Sequence, residues 1–148
     1  MQINSVIIDD SEGDRYLARR ALSDSGIVKN ILEFEDGDDA LHFFQNVDEY
    51  ESVCGPNPPP TLVLMDINMP GKDGFELLED LKNSSFVEKL NDKSACIILL
   101  FTSSNNDRDR ERVEQYNTVK GYLIKPLDEE KLQSILKQHY QKYDLKVA

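Results

Sequence analysis

The sequence predicts an α/β domain, in which a parallel sheet carries helices on both of its faces. Short apolar runs alternate along the chain with segments in which apolar residues follow helical spacing. This alternation is typical of repeated strand–helix units. The apolar runs are continuous, as strands covered on both faces require, whereas a half-exposed strand would alternate apolar and polar residues. We therefore expect five strand–helix units within the 148 residues.

Five apolar runs mark the strands, at residues 6–8, 31–34, 62–65, 96–101 and 122–124. The second run is interrupted by Glu33, which indicates an edge strand. Apolar residues three and four positions apart mark four of the helices. These residues are Leu17, Ala21 and Leu22; Ala40, Phe43, Phe44 and Val47; Leu77, Leu78 and Leu81; and Leu132, Ile135, Leu136 and His139. The remaining helix, fourth along the chain at about 106–116, has few apolar residues.

The composition excludes several classes of function. The formal net charge of −11 argues against binding nucleic acid, which needs a basic surface, and against docking on anionic membranes. The first ten residues lack the features of a signal peptide, and the longest apolar run, 95–101, is too short to span a bilayer. We therefore expect a cytoplasmic protein that binds neither nucleic acid nor membrane.

Two further features are informative about the organisation of the chain. Cys54 and Cys96 have neither a disulfide framework nor metal-binding spacing. Residues 48–60 contain most of the prolines and are expected to be a long connection with an extended end. There is no internal repeat, so residues 1–148 are expected to form one domain, with a core at about 5–140 and a short tail at 141–148.

Polar residues lie where four of the predicted strands end. Asp9 and Asp10 follow the first strand, Asp66 follows the third, Thr102 the fourth and Lys125 the fifth. In an open parallel sheet, ligands bind at the carboxyl ends of the strands. Each residue also has an ordinary explanation as a helix cap, a turn residue or a surface lysine. Because all of these strands end in residue types that one reaction needs, we favour a functional site.

That reaction is phosphoryl transfer to a carboxylate. Clustered aspartates repel one another and need a cation, and a few hard oxygen ligands indicate Mg²⁺, which keeps several waters. An aspartate can attack phosphorus to form an acyl phosphate. The metal ion and a lysine then neutralise the phosphoryl oxygens, and a hydroxyl donates a hydrogen bond. Asp66, at the end of a central strand, is the predicted nucleophile.

Four segments resemble the receiver domain of two-component response regulators, in particular the stand-alone, chemotaxis-regulator-like type. They are VIIDDSEGDR, LVLMDINMPGKDGFELL, ILLFTSS and GYLIKPL, and they are similar to the acidic-pair, phosphoacceptor, switch-hydroxyl and lysine segments of that family. The similarity runs from about residue 5 to residue 140. It implies a single receiver domain with a flavodoxin-like, doubly wound sheet of five parallel strands in the order 2-1-3-4-5.

The resemblance implies a role for each site residue. Asp66 would be the phosphoacceptor and a metal ligand, Asp10 would bind Mg²⁺ directly, Asp9 would bind it mostly through water, and Asn68 would bind it through its backbone carbonyl.

The resemblance also implies a switch. Thr102 would donate a hydrogen bond to the phosphoryl group, and Lys125 would pair with that group. Tyr122, three residues before Lys125, matches the switch aromatic residue of the family. Thr102 and Tyr122 together would convert phosphorylation into a change of surface.

The resemblance further implies partners. A histidine kinase or a histidine phosphotransfer protein would supply the phosphoryl group, and an unidentified protein would receive the signal. The chain would be a monomer or a phosphorylation-dependent homodimer. It would be a phosphoacceptor that phosphorylates and dephosphorylates itself rather than a turnover enzyme.

Two alternatives stay open. A haloacid-dehalogenase-like phosphatase also has a nucleophilic aspartate at a strand end, but it has an acid two residues further on, where this chain has Asn68. The other alternative is a receiver-like binding module that has lost its chemistry. Against this alternative, every position that the chemistry needs is filled.

Overall fold

Five parallel strands form one sheet in the order β2-β1-β3-β4-β5. The computed structural model describes residues 2–46, 48, 51–52, 60–83, 96–103 and 107–141. The strands are β1 (Ile3–Ile8), β2 (Val28–Phe34), β3 (Thr61–Met65), β4 (Cys96–Thr102) and β5 (Val119–Ile124). The helices are α1 (Glu12–Asp24), α2 (Gly37–Gln45), α3 (Gly74–Lys82), α4 (Asp107–Val113) and α5 (Glu129–His139). The predicted α/β fold class and strand order are therefore confirmed.

Two hydrophobic cores lie on opposite faces of the sheet, because successive side chains of a strand point to opposite sides. On one face, Val63 and Met65 pack with residues of α2 and α3. On the other face, Leu62 and Leu64 pack with residues of α1 and α5. This double coverage explains why the central strands read as continuous apolar runs.

Several strands begin earlier than their apolar runs indicate. β1 starts three residues before Val6, and it includes the buried polar residues Asn4 and Ser5. The Ser5 hydroxyl donates to the Leu62 carbonyl oxygen at 3.0 Å, and Asn30 donates to the side-chain oxygen of Asn4 at 3.1 Å. These hydrogen bonds offset the cost of burying polar groups inside the sheet.

The interrupted strand β2 lies at an edge of the sheet, as Glu33 indicated. Glu33 forms ion pairs with two arginines of α1, with Arg19 at 2.7 Å and with Arg15 at 3.5 Å. The polar residue in this strand is therefore explained by a contact that fastens α1 to the edge strand.

The helix predicted at about 106–116 ends at Val113 and is followed by a turn in which the Tyr116 amide donates to the Val113 carbonyl. Val113 and Tyr116 are its buried anchors. The Tyr116 hydroxyl donates to Glu79 of α3 at 2.8 Å, and the Arg112 guanidinium lies 4.1 Å from the ring centre of Phe75. The polar helix α4 is thus attached to α3 at its carboxyl end.

Within the described ranges, no helix has the length and apolar character that crossing a membrane would need. The sequence-based predictions about Cys54, about the proline-rich residues 53–59 and about the tail after residue 141 lie outside the described residues.

Gly74 begins α3 and lies against the backbone that follows β3. Its amide donates to the Ile67 carbonyl oxygen at 2.9 Å. A Cβ atom at this position would lie 2.4 Å from the Asp66 carbonyl oxygen and 2.9 Å from the Ile67 Cα. Only glycine permits this approach, because backbone atoms of the β3–α3 loop would otherwise have to move.

We expect Gly74→Ala to lower the free energy of unfolding by about 1–3 kcal/mol, since overpacking displaces the loop. The matched control is Gly13→Ala in α1, where the new Cβ would meet only the Ser11 hydroxyl at 3.9 Å. That substitution should be neutral or slightly stabilising, because alanine is the better helix former. Urea denaturation of both variants measures the difference, and equal stabilities would contradict the close approach.

Candidate functional site

Asp9 and Asp66 are held at the carboxyl edge of the sheet by main-chain hydrogen bonds that continue the ladder beyond the strands. The Asp9 amide donates to the Phe34 carbonyl oxygen at 3.0 Å, and the Asp66 amide donates to the Ile8 carbonyl oxygen at 2.8 Å. Both residues are buried, with exposed fractions of 0% for Asp9 and 4% for Asp66. Two carboxylates are thus held side by side with little water.

Asp10 completes an acidic cluster from the exposed side. Carboxylate oxygens of Asp9, Asp10 and Asp66 all lie within 4.8 Å of one another. Carboxylate oxygens are hard ligands of the kind that Mg²⁺ binds in proteins, and an exposed member leaves room for the waters that this ion keeps. The donor set therefore fits a divalent cation.

Lys125 supplies the positive charge of the site. Its amide donates to the Thr102 carbonyl oxygen at 2.7 Å, which brings the residue after β5 against the end of β4. The Nζ atom lies 2.5 Å from an oxygen of Asp9, 3.0 Å from an oxygen of Asp14 and 3.5 Å from an oxygen of Asp66. One ammonium group therefore contacts three carboxylates.

The pKa values reflect this arrangement. Burial and the neighbouring Asp9 carboxylate raise the pKa of Asp66 from its ordinary value of 3.8 to about 7, although Lys125 opposes the rise. Burial alone would lower the pKa of Lys125, but its contacts with Asp9 and Asp14 outweigh burial, and the pKa is raised. Asp66 therefore resists ionisation unless further positive charge enters the site, whereas Lys125 stays charged.

Two contacts fix the segment that carries the acidic pair. The Ser11 amide donates to a carboxylate oxygen of Asp9 at 2.9 Å, and the Arg15 guanidinium donates to the Asp9 carbonyl oxygen at 2.7 Å. Ser11 is also the N-cap of α1, since its hydroxyl accepts from the Asp14 amide at 3.2 Å. These contacts thus fix Asp9 relative to the first turn of α1.

The remaining predicted residues occupy the same edge of the sheet or the surface beside it. Thr102 is buried at the end of β4, and Asn68 is exposed two residues after Asp66. Tyr122 is half-buried on β5, and the Arg110 guanidinium of α4 lies 5.2 Å from its ring centre. Tyr122 therefore connects β5 to α4.

Sequence reasoning missed Asp14 and Arg15. Asp14 contacts Lys125, and Arg15 holds the main chain of Asp9 while pairing with Glu33. A signal for Asp14 was present, because Ser11 and Asp14 are spaced as an N-cap residue and the third residue of the helix that it caps. The signal could be used only after the start of α1 was known.

Comparison with known proteins identifies the family. The family model of the response regulator receiver domain matches residues 6–137. The chain therefore belongs to the response regulator receiver domain family. Receiver domains of response regulators are generally signalling modules rather than turnover enzymes, and they bind Mg²⁺ at an aspartate cluster.

Among curated relatives, the chain is 32% identical over 102 residues to response regulator Rcp1 of Synechocystis sp.. The match covers 69% of this chain and 63%, less than two thirds, of that relative. This relative is a response regulator, to which the chain is thus similar in sequence.

Solved structures show the same fold. A two-component response regulator from Cytophaga hutchinsonii is 28% identical, with a TM-score of 0.73 over 93% of this chain and 97% of the other. The Mn²⁺-bound form of response regulator Rcp1 is 24% identical, with a TM-score of 0.67 over 98% of this chain and 99% of the other. These neighbours have the flavodoxin-like receiver fold.

Because the pKa of Asp66 is raised, the free energy of unfolding of the metal-free protein should depend on pH. The unfolded carboxyl ionises near its ordinary pKa of 3.8 and the folded one near 7. The stability that the protonated form provides is therefore present below about pH 4 and is lost as the pH rises to about 7. Asp66→Asn removes this ionisation. Without Mg²⁺, the variant's advantage in free energy of unfolding should grow by about 2 kcal/mol between about pH 5 and about pH 8.

Urea denaturation across this pH range measures the effect. Asp10→Asn should give a smaller gain in the same direction, because the Asp10 side chain is exposed and raises the pKa of Asp66 less than Asp9 does. Asp24→Asn, which changes an exposed carboxylate in the last turn of α1, is the control and should show no such growth. If the free energy of unfolding had the same pH dependence in the wild type and in Asp66→Asn, this would contradict the raised pKa of Asp66.

Proposed function

We propose that this chain is a response regulator that accepts a phosphoryl group on Asp66 in a Mg²⁺-dependent reaction and signals through a phosphorylation-dependent protein surface. The observation that carries the proposal is the position of the Lys125 ammonium, 3.5 Å from the Asp66 carboxylate within a cluster that also contains Asp9 and Asp10. A nucleophile, a cation and metal ligands are what phosphoryl transfer to a carboxylate requires.

The proposed donor is a phosphorylated histidine of a histidine kinase or of a histidine phosphotransfer protein. An Asp66 carboxylate oxygen attacks phosphorus, and the oxygen–phosphorus bond of an acyl phosphate forms. The nitrogen–phosphorus bond of the donor breaks, and the ring nitrogen keeps the electron pair. Lys125 neutralises one phosphoryl oxygen from its place beside Asp66.

Mg²⁺ is the proposed cofactor. The carboxylates of Asp9, Asp10 and Asp66 and the backbone carbonyl of Asn68 would hold it, with Asp10 as a direct ligand and Asp9 mostly through water. When bound, the ion supplies positive charge to the phosphoryl oxygens and to the aspartates that repel one another. The raised pKa of Asp66 supports the need for that charge.

The output we propose is a protein–protein contact, with the chain acting in the cytoplasm as a monomer or a phosphorylation-dependent homodimer. The net charge of −11 supports partners other than nucleic acid and anionic membranes. Self-dephosphorylation would return the domain to its starting state, so that the chain is a phosphoacceptor and not a turnover enzyme.

Acetyl phosphate with Mg²⁺ should add one phosphoryl group to the wild-type protein, as measured by intact-mass spectrometry. Asp66→Asn and EDTA should each abolish the addition, because one removes the nucleophile and the other the cation. The control Asp24→Asn should be phosphorylated like wild type. Equal labelling of wild type and Asp66→Asn would refute the assignment of Asp66, and absence of labelling in the wild type would favour the inert binding module.

A second part of the proposal concerns how the signal leaves the site. A phosphoryl group on Asp66 would draw the Thr102 hydroxyl inward through a charge-assisted hydrogen bond. Tyr122, half-buried between α4 and the last helix, would fill the space that this movement vacates. Its contact with Arg110 supports the connection to α4, so that the reshaped surface would be that of α4, β5 and α5.

Beryllofluoride, a mimic of the phosphoryl group, tests this route by nitrogen–proton NMR. Shifts should spread from Thr102 through 107–116 to Tyr122 in the wild type, and Thr102→Ala should confine them to the neighbourhood of Asp66. Ser103→Ala, which removes the adjacent exposed hydroxyl, is the matched control and should leave the pattern unchanged. Shifts confined to the site in the wild type itself would place the output surface elsewhere.

A further inference from the structure

Asp14 reaches the site from a different element than the other carboxylates. It lies in the first turn of α1, and its side chain is 36% exposed. One of its oxygens accepts a hydrogen bond from the Lys125 ammonium at 3.0 Å. Asp14 is not part of the cluster whose oxygens lie within 4.8 Å of one another. Its contact with the site is therefore made through the lysine.

The Lys125 ammonium lies among three carboxylates. An ammonium group carries three donors, and its nitrogen has carboxylate oxygens of Asp9, Asp14 and Asp66 at 2.5, 3.0 and 3.5 Å. The longest of these contacts is the one to Asp66. The ammonium therefore lies closer to Asp14 of α1 than to the nucleophile.

We infer that Asp14 is a positioning residue that shares the Lys125 ammonium with Asp66 and thereby limits the positive charge offered to an incoming phosphoryl group. The inference rests on the proposed function and adds a role for a residue outside the acidic cluster. Asp14 and the phosphoryl group are both anions beside one cation. Each therefore weakens the attraction between the other anion and the Lys125 ammonium. The result is a phosphorylated state that is less stable than the cluster alone would make it.

Loss of the Asp14 charge should have opposite effects on the binding of two ligands. Removing the negative charge of Asp14 should strengthen the binding of an anionic phosphoryl mimic by about three- to tenfold, because both charges lie beside one buried lysine and only the Asp14 carboxylate is partly exposed. The same removal should weaken Mg²⁺ binding by about twofold, because the site loses a negative charge. A purely structural role for Asp14 would give one direction only, since a loosened site binds both ligands more weakly.

The experiment uses Asp14→Asn, which keeps the size of the side chain. Calorimetric titration measures Mg²⁺ binding alone, and beryllofluoride binding at saturating Mg²⁺, at low and at high salt. Tighter beryllofluoride and weaker Mg²⁺, with both changes reduced at high salt, is the expected result. Asp14→Glu should give values close to those of the wild type, because it keeps the charge on a partly exposed side chain.

Glu12→Gln is the matched control, because Glu12 lies in the same first turn of α1 and carries the same charge. It should change neither affinity by as much as twofold. Unchanged beryllofluoride affinity in Asp14→Asn, or weaker binding of both ligands, would overturn the inference while the proposed function stands. Failure of the wild type to bind beryllofluoride at all would overturn the proposed function, and the inference with it.

Discussion

The ion-pair cluster around Lys125 is the constraint on which the rest of the structure depends. Two buried aspartates at the edge of a sheet are costly in a low-dielectric environment, and one ammonium group offsets that cost by contacting Asp9 and Asp66 at once. Lys125 reaches them only because β5 pairs with β4 and because its own amide is hydrogen-bonded to Thr102. The strand order and this main-chain hydrogen bond bring the charge to the carboxyl edge of the sheet.

Much of the fold and of the candidate site could be predicted from the sequence, because both follow from short-range patterns. Continuous apolar runs identify strands covered on two faces, and parallel strands bring their carboxyl ends to one edge, so that Asp9, Asp66 and Lys125 were expected to meet. The beginnings of the strands could not be predicted. Asn4 and Ser5 are tolerated in β1 only through hydrogen bonds to other strands, and such bonds depend on the tertiary structure. Asp14 was missed for a similar reason, since its contact depends on how α1 is turned relative to β5.

The polar helix α4 shows how few contacts can fix an element with little apolar surface. Arg112 stacks on Phe75, and Tyr116 donates a hydrogen bond to Glu79, so that α4 is held to α3 by residues at its carboxyl end. Phe75 directly follows Gly74, whose Cα lies against the Asp66 main chain. The other side of α4 contacts Tyr122 through Arg110. The helix therefore contacts both α3, which follows the loop after Asp66, and β5, which precedes Lys125.

The distance along the chain between Asp66 and Lys125 also bears on how the protein is made. Ribosomes add roughly 5–20 residues per second, so the aspartates leave the ribosome several seconds before the lysine that neutralises them. During that time the Lys125 ammonium is absent, and the carboxylates stay hydrated because burying them without it would be unfavourable. The strand that precedes the lysine, β5, is the last strand along the chain and lies at an edge of the sheet. A nascent chain that ends before β5 therefore lacks a complete site, and translation has to pass residue 125 before the lysine can join the aspartates.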